Sequence, residues 1–226
     1  MCFSATASFT ASIGLGLIGG ATLSQVRTPN QYPLASIPLI FAVQQFAEGV
    51  VWMSLMNPEW SAYQNIASLI FLLTAIVVWP IWIPLSFVFF EQDKKRKSIL
   101  KLLLVIGSMA SLYFLSCIIF IGFESTIVNR HVFYKVDFPK FMVPIAAAFY
   151  LIGSVVPPLW FKDIKIKLIG ISLFVSYLIA RIFFKPSLIS VWCFIAIIIG
   201  VLVFLVVREQ AMSKKETKQS MSRSMS

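Results

Sequence analysis

Glu48 is the residue whose type and position most directly suggest chemistry. It lies in the run Gln44-Gln45-Phe46-Ala47-Glu48-Gly49-Val50-Val51-Trp52, inside a long apolar stretch. A carboxyl group in such surroundings is costly unless it is paired, protonated or facing water, so it marks a ligand-binding or proton-handling site by default. Gln44 precedes it by four residues and shares its helical face; Gln44 and Gln45 both donate and accept hydrogen bonds. The competing role for this polar face is an internally satisfied hydrogen bond that fixes helix packing.

Further candidates follow from the ends of the apolar runs. Arg181 stands one helical turn after Tyr177. Both fall at the same end of the bundle as Glu48 when the runs are threaded as alternating helices, so Glu48, Arg181 and Tyr177 are expected around a common cavity. Glu48 and Arg181 are a candidate ion pair, with Arg181 snorkelling to the surface as the alternative. At the amino end, Cys2 could serve as a nucleophile or soft-metal ligand given a basic neighbour, and the sequence identifies none. No catalytic residue is assigned. The three cysteines, Cys2, Cys117 and Cys193, have no metal-knuckle spacing, and His131 is the only histidine, so neither a metal site nor a cofactor is expected. His131 itself falls in a long connection, residues 123–139, where solvation is the simplest expectation.

The elements that hold these residues are read from composition. The chain has 226 residues, 59% hydrophobic and 12% charged, with mean hydropathy +0.88. Soluble domains carry about 25% charged residues, so an ordinary cytosolic enzyme, a disulfide scaffold and a disordered chain are all excluded. An all-α, polytopic integral membrane protein is the expected fold class, with the lipid bilayer as its solvent. A helix needs roughly 20 apolar residues to cross the hydrocarbon core. Runs of about that length lie near residues 5–25, 33–56, 62–90, 98–122, 140–160, 166–184 and 187–207, which predicts seven spans. Within the third, Trp79-Pro80 and Pro84 predict a tilt or break.

The net charge of +10 reads as topology rather than as a nucleic-acid surface. Lys and Arg near Arg27, at 94–101 and 162–167, and from Arg208 onward total 14 of the 19 basic residues, and all fall on one set of connections. The remaining 5 fall on the other set. Cytoplasmic loops carry the basic excess, so the amino end is expected outside and the carboxyl end inside. No basic residue precedes Arg27, so the first run is expected to be a retained helix rather than a cleaved signal. Residues 209–226 have almost no apolar content and are expected as a disordered basic cytoplasmic tail that attracts anionic lipid.

The first run also carries Ser4, Ser8, Ser12, Gly16, Gly20 and Ser24 at four-residue spacing. Small side chains let helices approach closely, so Ser8, Ser12, Gly16 and Gly20 are expected to pack against a neighbour.

The opening Met1-Cys2-Phe3-Ser4-Ala5-Thr6-Ala7-Ser8-Phe9, with Gln45, Glu48, Gly49 and Trp52, resembles an uncharacterised family of small bacterial multi-pass membrane proteins. The resemblance is strongest over roughly the first 55 residues. It implies a bacterial cytoplasmic (inner) membrane location, raises the weight of Cys2, Ser4, Gln45 and Glu48, and implies nothing about reaction type. Three functions remain open: small-solute binding or transport through a polar cavity around Glu48 open to the outer side; a sensor or assembly protein signalling through its tail; and an intramembrane enzyme using Cys2 or Glu48. Transport or binding leads, an enzyme is less favoured, and the expected partner is a small solute at the outer side.

Overall fold

The computed structural model describes residues 4–194 and 196–224, and it is mostly helical, at 82%. Cys2 lies outside the described residues. The helices are α1 (Ala5–Ser24), the short α2 (Tyr32–Ala35), α3 (Ile37–Met56), α4 (Gln64–Leu72), α5 (Trp79–Phe90), α6 (Lys94–Phe120), α7 (Val143–Leu159), α8 (Ile164–Phe183), the short α9 (Leu188–Phe194) and α10 (Ala196–Ser224). Six stretches are long and apolar enough to cross a membrane: Ala5–Ser24, Pro29–Met56, Pro58–Phe90, Lys94–Phe120, Ile164–Phe183 and Lys185–Met212. The apolar α7 is shorter. Each run read from the sequence therefore has its helix, and α7 alone falls below the length of the others.

The connections gather at two ends of the bundle. At one end the Gln64 amide donates to the Ser125 carbonyl and hydroxyl, both at 3.0 Å, and Ser68 donates to the same hydroxyl at 2.9 Å. At the other, Lys165 meets Glu209 at 2.6 Å and the Gln31 amide donates to Gln210 at 2.7 Å. Asp93 and Asp163 cap α6 and α8 there by accepting the Arg96 and Lys165 amides at 2.9 and 2.7 Å, satisfying donors that a helix start leaves open.

Two expectations change. The all-α reading meets a hairpin in the long connection: β1 (Glu124–Val128) pairs antiparallel with β2 (His131–Lys135) in the register Val128 to His131 through Glu124 to Lys135. Asn129 and Arg130 turn it with φ of 51° and 61°, the positive values that a two-residue hairpin turn of matching twist requires. The visible cue is the β-branched and aromatic content of Ser-Thr-Ile-Val and Val-Phe-Tyr on either side of Asn129. The second change is at the carboxyl end, where the backbone stays helical from Ala196 to Ser224, across most of the segment expected as a disordered tail. Residues 209–224 are rich in Glu, Gln, Lys, Met and Ala, all good helix formers, so a helix already started continues at little cost.

The proline-rich third run bends the ladder without breaking the helix. Between α4 and α5 the segment Leu73–Val78 is π-helical. In an i→i+5 pattern the donor for the Ala75 carbonyl is residue 80, a proline with no N–H. The Tyr150 hydroxyl donates to that carbonyl instead at 2.7 Å, and the Ser111 hydroxyl donates to the Val77 carbonyl at 2.7 Å. Downstream, Pro84 cannot donate to the Pro80 carbonyl, which is turned onto Gly107 of α6; a Cβ there would lie 1.9 Å from the oxygen. Gly153 of α7 meets the same group, and its Cβ would lie 2.7 Å from the Gly107 Cα. Three helices thus cross at backbone contact, which only glycine permits.

Candidate functional site

Helix α3 presents Gln44, Glu48, Trp52 and Gln45 within an arc of roughly 100° at 3.6 residues per turn. Gln44, Gln45 and Glu48 are each 0% exposed. The Gln44 carbonyl accepts from the Trp79 indole at 2.8 Å, and Trp79 stacks on Phe41 with ring centroids 3.8 Å apart. Glu48 accepts a short hydrogen bond from the Ser190 hydroxyl. Its second oxygen, the Gln44 amide nitrogen, both polar atoms of Gln45 and the Trp52 indole have no hydrogen-bond partner among the described residues. Buried polar groups are normally paired, so a face with five unpaired atoms is unusual.

Ser190 arrives on α9, a two-turn helix that follows the Lys185–Ser187 turn. The same serine lines a cavity of 530 Å³ with Tyr177, Arg181, Lys185, Ser187 and the hairpin residues Val132 and Tyr134. Tyr134 stacks on Phe71 at 4.6 Å between centroids, which ties the hairpin wall to the bundle. A second chamber of 160 Å³ shares Val143, Ala147, Leu151, Tyr177, Leu188 and Ile189 with the first and continues to Phe114, Phe138 and Trp192.

The structure therefore brings Tyr177 and Arg181 to one cavity, with Glu48 one hydrogen bond behind its wall. Among the described residues Glu48 and Arg181 form no ion pair; the four that exist join Arg96 to Glu91, Lys135 to Glu124 and Asp137, and Lys165 to Glu209. Glu48→Gln and Arg181→Gln are accordingly expected to destabilise independently, within about 0.5 kcal/mol of additivity. A double-mutant cycle by chemical unfolding that returned a coupling above about 1 kcal/mol would show that the two charges pair.

Other candidates have plainer places. Ser4 caps α1, its hydroxyl accepting the Ala7 amide at 3.2 Å. Ser8 is fully buried and Ser12 donates to the Ala42 carbonyl at 2.8 Å, but Gly16 and Gly20 have nothing within 4 Å of a built Cβ. The buried face of α1 is Ser8, Ala11, Leu15, Gly19 and Thr22. Its steps of three and four residues keep one face, whereas a strict four-residue repeat drifts about 40° per step and leaves it. Gly19 supplies the close approach instead, with a Cβ there falling 2.5 Å from Leu39. His131 is not a free-standing loop side chain; its ring packs edge-on against Phe184 at 5.3 Å, and partial burial holds its imidazole below the ordinary range. Sequence reasoning missed Ser190, which has no distinguishing neighbours in the chain and becomes legible only through α9.

No group of three or more His, Cys, Asp or Glu side chains stands close enough to hold a metal among the described residues. The chain belongs to a family of unknown function, DUF6629, whose model matches residues 1–218. No curated protein and no solved structure is significantly similar to it.

Proposed function

We propose that this member of the family is a seven-span protein of the bacterial cytoplasmic membrane that binds or transports a small solute through the 530 Å³ cavity, which opens on the outer side. The observation that carries this reading is the double role of Ser190, which lines the cavity and donates to the buried Glu48. Through that hydroxyl a proton or a polar ligand group in the cavity is coupled to a carboxyl with no other hydrogen-bond partner among the described residues, an arrangement suited to solute recognition linked to protonation. Orientation rests on the basic residues: 14 of 19 fall on the side of Arg27 and the tail, which assigns the hairpin and cavity mouth to the outside. The seventh span is α7, whose 17 residues cover about 25 Å against a core of about 30 Å. Local thinning of the bilayer accommodates a mismatch of that size at modest cost.

The test is a flux screen in proteoliposomes with a trapped pH-sensitive dye and a panel of small solutes, comparing the native protein with Glu48→Gln. Solute-dependent proton movement is expected to fall at least ten-fold in the variant while its elution profile stays that of the folded protein. Equal flux from both proteins would remove Glu48 from the function.

A further inference from the structure

The walls of the cavity define the chemical class of ligand. Two cations, Arg181 and Lys185, stand in the lining of the larger chamber, and no Asp or Glu does. Neither forms an ion pair among the described residues. Tyr177 and Ser187 line the same chamber, so positive charge and hydroxyl-bearing residues share one lining. A guanidinium matches carboxylate or phosphate oxygens bidentately, and an ammonium adds a point charge.

The inner chamber has the opposite character. Ile76, Phe114, Phe138, Val143, Leu151 and Trp192 dominate its 160 Å³. Its tyrosine at position 150 already commits its hydroxyl to the Ala75 carbonyl, and the Trp192 indole donates to Ser176 at 2.9 Å. A sugar or a hydrated ion placed there would lose water without gaining partners. Apolar walls with a few convergent polar groups, at a volume within the range of about 300–1,000 Å³, are usual for sites that hold organic ligands.

We propose that the two chambers together bind a single-chain anionic amphiphile, its carboxylate or phosphate at Arg181 and Lys185 and its hydrocarbon portion running past Ala147 and Leu188 toward Trp192. The proposal rests on reading the cavity as the ligand site and adds the ligand class. Glu48 stays behind Ser190 and lines neither chamber, so the head group is not set against a carboxylate in the wall.

The experiment uses the full chain in phosphatidylcholine nanodiscs, titrated calorimetrically with octanoate, octanol, octyltrimethylammonium and acetate. Octanoate is expected to bind at least ten-fold more tightly than each of the other three. Arg181→Gln with Lys185→Gln is expected to weaken octanoate at least ten-fold and to leave octanol unchanged. Ala147→Phe, which fills the junction of the chambers, is expected to weaken both, and Ala147→Leu serves the same purpose if the larger side chain lowers the melting temperature. Nanodiscs containing lysophosphatidylglycerol, an anionic lipid with one chain, separate the two sources of the anion: competition with octanoate assigns the natural ligand to the bilayer, and its absence assigns it to free solute, either result supporting the class. Acetate binding as tightly as octanoate, or octyltrimethylammonium binding at least as tightly in a manner blocked at Ala147, would overturn the ligand class while leaving the cavity as a binding site. If no probe responds to the Ala147 variants, the cavity is not the ligand site and both readings fall.

Discussion

Replacing Gly107 by alanine is expected to cost at least about 3 kcal/mol of stability, enough to abolish accumulation of folded protein in a marginally stable chain. The new methyl carbon would sit 1.9 Å from the Pro80 carbonyl oxygen and 2.9 Å from its carbon. Neither atom belongs to a side chain that can swing away. The Pro80 carbonyl is held by the helix on both sides, and it faces Gly107 because Pro84 supplies no N–H for it. Relief would require α5 and α6 to separate, and Gly153 of α7 stands against the same contact, so the third helix would move too. In lipid, helices gain little from excluding each other's apolar surface, and close backbone approach is a main source of association, so separating this crossing removes what holds it. Gly20→Ala is the matched control, with nothing within 4 Å of its Cβ. It is expected to be neutral or slightly stabilising, since alanine favours the helix by about 1 kcal/mol. Fluorescence-detected size exclusion and steric-trapping unfolding measure the difference; equal stability of the two variants would mean that the crossing is not a tight contact.

The contrast between Gly20 and Gly107 shows what the chain reveals on its own. Apolar run length located every long helix, because the hydrophobic requirement of a span acts on about 20 residues at once and single exceptions do not hide it. The polar face around Glu48 was legible for the same reason, a carboxyl being conspicuous against such a background. Helix contacts were not. The four-residue stripe in α1 contains Gly16 and Gly20, yet the face is set by the 3.6-residue turn, which selects Gly19 and passes over both of them. Gly107 and Gly153 sit in no small-residue pattern with each other, since they belong to different helices and meet only through a proline carbonyl. Ser190 was hidden likewise: its value comes from α9 placing it against Glu48, 142 residues away in the chain. The hairpin escaped because the apolar spans dominate the composition, although Asn129 and its β-branched flanks carry a local signal.

The second large effect separates a functional carboxyl from a structural one. Ser190→Ala removes the hydroxyl that donates to Glu48, leaving that carboxyl fully buried with neither oxygen partnered among the described residues. Losing a hydrogen bond to a buried acidic group is expected to destabilise the protein by about 2–3 kcal/mol. Adding Glu48→Met to that variant replaces the orphaned group with an apolar side chain of similar volume, and the double variant is expected to regain native stability or exceed it. Both proteins are expected to lose solute-dependent flux at least ten-fold. A group kept for packing would behave in the opposite way, its removal deepening the loss caused by Ser190→Ala. The α3 face contains Gln45 and Trp52 as further buried polar groups without hydrogen-bond partners among the described residues. An apolar replacement at position 48 relieves one member of that face, and the gain in stability with loss of flux would identify the carboxyl as a group retained for its chemistry against the preference of the surrounding helices. If the double variant proves less stable than Ser190→Ala alone, Glu48 is a packing element and the cavity must act without it.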